Sequence, residues 1–83
     1  MDPELLKIID AVAWAETCLV FASASRGQSS FEKEFTKLKA ATPEARKLVD
    51  AYKGKVADAI KISLRACELG IERLSILKDH GHT

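Results

Sequence analysis

The sequence predicts an all-α fold: a three-helix hairpin, two shorter helices packed along one long C-terminal helix, that dimerises into a helical bundle. Three observations lead there. Apolar residues recur at spacings of three and four and never alternate by two, so helices are expected and strands are not. Only four Gly and two Pro punctuate 83 residues, which allows few breaks. Two of the expected helices also carry more apolar surface than a single chain of this size can cover.

The first helix is expected over residues 3–24. Asp2 serves as its cap, and Pro3 stands in the first turn, where a missing amide hydrogen does no harm. The stretch "SASRGQSS" ends it with small polar residues and Gly27. Ser29 and Glu32 then have the spacing of a capping box, and Phe31, Phe35 and Leu38 form a one-sided stripe, so a short helix is expected over 30–41.

"TPEARKLVDAY" reads as a third start, with Thr42 as cap, Pro43 as first helical residue and Glu44 at the positive end of the helix dipole. No later Pro stops this helix. It is expected to run over 43–79, roughly 36 residues or about 54 Å. Gly54 and Gly70 fall inside it and mark either a bend or the close approach of another helix. Residues 80–83, with His80 and His82, are expected to be a flexible tail. The whole chain, 1–83, forms one domain.

The surplus of apolar surface sits on two helices. On the third, Val56, Ile60, Cys67, Ile71 and Leu74 belong to one broad face, whereas Ile62, Leu69 and Ile76 recur every seven residues on another. On the first, Leu5, Ile8, Ile9, Val12, Ala15, Leu19, Val20 and Ala22 make one side. Trp14, Cys18 and Phe21 make the other. Trp14, Phe21, Ile62, Leu69 and Ile76 are therefore the candidate dimer and partner interface. Each also has a plainer reading, as a scattered surface residue or as packing against the third helix.

Glu16 falls by helical angle inside the apolar stripe of the first helix. A buried carboxylate there needs a partner, for which Arg65, Arg73 and Tyr52 are candidates. A place at the stripe's edge, in reach of water, is the alternative.

Composition narrows the function classes. With 47% apolar and 30% charged residues the chain is globular, and a net charge of +1 gives no strong overall pull toward nucleic acid. Cys18 and Cys67 have no CxxC or Cys/His spacing and suit reduced, buried thiols of a cytoplasmic protein. The start "MDPELLK" is acidic where a secretory leader needs a basic one, and Lys7, Asp10 and Glu16 interrupt the apolar run after it. No membrane association is expected.

No catalytic, cofactor or metal site is expected. His80 and His82 are the only histidines and lie in the tail, away from any nucleophile. No Glu-x-x-His pair occurs for a di-metal bundle, and "SRGQSS" lacks the glycines and preceding strand of a phosphate loop. A non-enzymatic protein–protein interaction module working as a homodimer is what remains: an adaptor, inhibitor or assembly factor. The alternative is a dimeric nucleic-acid-binding protein that contacts phosphates through Lys33, Lys37, Arg46, Lys47, Lys53 and Lys55. Glu34, Glu44, Asp50 and Asp58 interleave with those cations, which favours a salt-laced solvated face instead.

Overall fold

The computed structural model describes residues 2–79. Three helices fill that span: α1 (Pro3–Ala24), α2 (Phe31–Ala51) and α3 (Asp58–Asp79). They run up, down and up in a rod of 43 × 17 × 17 Å. The expected tail with its two histidines lies outside the described residues. No helix among those described is long and apolar enough to cross a membrane.

α1 begins and ends where the local signals place it. The Asp2 carboxylate accepts the Glu4 amide at 2.9 Å, satisfying one orphan donor of the first turn. At the far end the Ser25 amide folds back onto the carbonyls of Phe21 and Ala22. Gly27 then takes φ 78°, a left-handed conformation that favours glycine, and the chain reverses.

The other two helices are divided differently from expectation. No break occurs at Thr42–Pro43, and there is no long C-terminal helix over 43–79. Instead α2 runs through Pro43 to Ala51, the chain opens over residues 52–57, and α3 starts at Asp58. The three helices, of 22, 21 and 22 residues, are nearly equal. The Thr-Pro-Glu signal is local, and packing overrides it. Ala41, Thr42, Ala45 and Val49 continue the buried face begun by Phe31, Phe35 and Leu38. Stopping the helix at residue 42 would uncover the N-terminal half of α1. Pro43 itself is exposed, so its ring faces water rather than the core. One residue earlier, the buried Thr42 hydroxyl has no hydrogen-bond partner.

The real break falls at one of the two glycines. Tyr52 turns to extended backbone at φ −73°, ψ 127°, and its ring lies against Gly54. A Cβ on Gly54 would stand 2.7 Å from Tyr52 Cε2. Gly70 takes the other role open to these glycines, the close approach. The Leu19 side chain occupies the place where its Cβ would be, so α1 and α3 come together there.

The core forms two stacked clusters. One joins Ala15, Cys18 and Ala22 of α1 to Phe31, Phe35 and Leu38 of α2 and to Cys67 and Leu74 of α3. The other joins Ile8 and Val12 to Ala45 and Val49, with Val56 from the 52–57 connection and Leu64 from α3. Phe31 and Phe35 stack with centroids 5.2 Å apart. Small residues at 15, 18 and 22 let α2 lie close on α1, and this turns α1 from its expected orientation. Cys18 faces the core rather than sharing the outer side with Trp14 and Phe21, whereas Val20 is 65% exposed.

Candidate functional site

Once the core is complete, the apolar residues left over are the candidate site. Ile62, Leu69 and Ile76 are 69%, 42% and 57% exposed, in line along α3 on the side turned away from Leu64, Cys67 and Leu74. Trp14 and Phe21 are also about half exposed on α1. The structure does not gather these five into one patch. Trp14 borders a shallow groove between α1 and α2, with Ala11, Ala40, Ala41, Lys37 and Glu44. Leu69 borders the groove between α1 and α3. The two sets flank α1 on opposite sides.

Charged residues punctuate the α3 stripe in an ordered way. Arg65 stands four residues before Leu69 and Glu72 three after it, on the same side of the stripe by helical angle. Arg65 is 60% exposed and lies 3.7 Å from Glu68 in a loose ion pair.

The second groove has a volume of about 460 Å³ and an aliphatic floor. Leu19 and Ser23 line it from α1, and Ala66, Leu69, Gly70, Leu74 and Leu77 from α3. Arg26 and Arg73 stand at its edge. Sequence reasoning missed this feature. The available signal was the pair of small residues Ala66 and Gly70, four apart on one side of α3.

Glu16 is not buried and has no salt-bridge partner among the described residues. It lines a small recess between α1 and α3 with Ile9, Ala13 and Ser63. Because α2 covers the centre of the α1 stripe, Glu16 is left on the flank, where its carboxylate reaches water. Its candidate partners are placed otherwise: Tyr52 bonds Asp2 at 2.7 Å and Arg65 lies by Glu68. Among the described residues, the buried polar side chain with no hydrogen-bond partner is Thr42, expected from the sequence to cap a helix.

The basic residues do not line up as a single track. Lys37 borders the α1–α2 groove and pairs with Glu34 at 3.7 Å. Arg46 faces the opposite way, toward α3. Its Nε and Nη2 donate to the two oxygens of Glu68 at 2.9 and 2.8 Å, and Nη1 approaches Asp50 at 3.5 Å. Lys47 lies 3.9 Å from Glu44. Lys33, Lys53 and Lys55 are exposed, the last two in the 52–57 connection.

Both thiols are free and belong to the same core cluster. Burial, reinforced by the negative charge of Glu16, pushes the Cys67 thiol up to about 11. A thiol held protonated in this way is a poor nucleophile.

Compared with known proteins, the chain matches no family model, no curated protein and no solved structure. The reading of function therefore rests on the surfaces just described.

Proposed function

We propose that this chain is a non-enzymatic helical interaction module that works as a homodimer, joined through the outer face of α3. The observation that carries the reading is the Ile62–Leu69–Ile76 line, exposed opposite the core at a seven-residue spacing. A second copy running antiparallel about a two-fold axis at Leu69 sets Leu69 on Leu69 and Ile62 on Ile76. The same operation brings Arg65 opposite the partner's Glu72, twice, so the flanking charges attract. Trp14 and Phe21, on the other side of α1, stay free in such a dimer and serve as aromatic anchors for a partner protein.

Sedimentation across a dilution series tests the dimer. The parent chain should pass from twice the chain mass to the single mass, and Leu69→Glu should remain single throughout. Arg65→Glu should weaken the dimer, and adding Glu72→Arg should restore it. A parent chain of single mass at every concentration would overturn the reading.

A further inference from the structure

We infer that the groove between α1 and α3 is a binding site for a long-chain aliphatic carboxylate, a free fatty acid. The inference does not depend on self-association, although Leu69 belongs to both surfaces.

Three properties of the groove define the ligand. Its size, about 460 Å³, is within the usual range for small-molecule sites. From Ala66 to Leu77 it follows α3 for about 16 Å at the helical rise of 1.5 Å per residue, so it suits an elongated occupant. Its floor is aliphatic: Leu19, Leu74 and Leu77 supply methyl groups, and Gly70 contributes no side chain at all. No aromatic ring lines it, so a base or sugar would find no stacking surface.

The charge at its edge fixes the sign of the head group. Arg26 and Arg73 are the charged residues that line the groove. Neither forms an ion pair with a carboxylate among the described residues, so both guanidinium groups are free to meet a ligand. Two uncommitted guanidinium groups beside an alkyl-lined trough match one carboxylate on one hydrocarbon chain. Planar forks of this kind bind a carboxylate with paired hydrogen bonds. The α1–α2 groove lacks this character, since Lys37 and Glu44 set opposite charges at its edge.

The test is calorimetric titration of the full chain with dodecanoate, kept below its micelle-forming concentration, and with dodecyltrimethylammonium, which has the same tail and the opposite charge. One dodecanoate per chain should bind, and the cation at least about ten-fold more weakly, as expected from one charged hydrogen bond. The double variant Arg26→Gln, Arg73→Gln should lose that preference. Ala66→Trp, on an exposed position, should fill the trough and abolish binding of both, with the helical circular-dichroism signal retained. Equal binding of the two amphiphiles, or an unchanged affinity in the Arg variant, overturns the site. So does a dimeric parent that takes up no dodecanoate, which would give the groove to a second copy and leave the homodimer reading intact. Retention on anionic phospholipid vesicles without uptake of free dodecanoate likewise overturns it, in favour of a membrane surface.

Discussion

The Tyr52 hydroxyl donates to the Asp2 carboxylate at 2.7 Å, and Asp2 is also the cap of α1. One side chain thereby ties the end of α2 to the beginning of α1 at the point where the chain leaves α2 for the 52–57 connection. The bond shifts both groups away from their ordinary values. The Asp2 carboxyl is held low, first by Tyr52 and then by the Glu4 amide. The Tyr52 phenol is raised, chiefly by the same bond.

Tyr52→Phe should therefore return the Asp2 carboxyl toward the ordinary range, a shift that carbon-detected NMR titration measures. The sign of the stability effect follows from linkage. A depressed carboxyl stabilises the fold above its unfolded value of about 3.9, and that contribution fades as pH falls through the folded value. A raised phenol stabilises below about 10, and its contribution fades as pH rises through the folded value. The parent should exceed the variant in melting temperature near neutrality and lose its lead at both extremes. A constant gap across the whole range would show that the bond does not form.

Arg46 and Glu68 make the corresponding tie between α2 and α3, with two parallel hydrogen bonds and Arg65 as a third participant. The Arg46 guanidinium holds the Glu68 carboxyl below the usual range, its hydrogen bond being the largest cause. Glu68→Gln should destabilise the chain by about 1 kcal/mol or less near pH 7, since both side chains are partly in water. By the same sign rule, that difference should be present above the ordinary Glu value of about 4.3 and shrink as pH falls through the folded value. Chemical denaturation at pH 7 and pH 3 checks this, and an equal loss at both pH values would contradict it.

Pro43 allows a sharper test, because the structure keeps it inside a continuous helix. Its side chain is exposed, so Pro43→Ala leaves the core untouched while restoring a backbone donor and removing a steric clash. The variant should gain stability, up to about 3 kcal/mol by helix propensity. For a domain of this size each kcal/mol shifts the melting temperature by about 4–8 °C. Were Pro43 the first residue of a helix, Ala would bring no such gain, because proline is well accommodated there.

That contrast shows how far the fold could be read from the residues. The bounds of α1 were legible because Asp2, Pro3 and Gly27 act within a few residues of the ends they set. The α2–α3 break was not, because two local signals competed. Thr42-Pro43-Glu44 has every mark of a helix start, whereas Gly54 is a single weak breaker between lysines. What decided between them is non-local: α1 needs Ala45 and Val49, beyond the apparent start, to cover Ile8 and Val12. Leu64 entered no face in the sequence reading yet is completely buried. The exposed residues Ile62, Leu69 and Ile76 were legible from the seven-residue spacing alone. The α1–α3 groove was not, since a groove depends on which two helices become neighbours.

Gly70 and Leu19 supply the last prediction. An Ala in place of Gly in an open helix stabilises by about 1 kcal/mol. At Gly70 the added methyl would stand far inside contact distance of Leu19 Cδ1, so the Leu19 side chain has to turn aside. Leaving its rotamer costs about 0.5–1.5 kcal/mol, which offsets the helix gain and leaves Gly70→Ala close to neutral. Leu19→Ala removes the obstruction. In that background Gly70→Ala should recover the full gain of about 1 kcal/mol. The two substitutions should thus be coupled by about 1 kcal/mol, the double variant being more stable than the sum of the single effects predicts, in a double-mutant cycle measured by chemical denaturation. Additive effects would mean that Leu19 does not rest on Gly70, and that α1 and α3 meet at some other level.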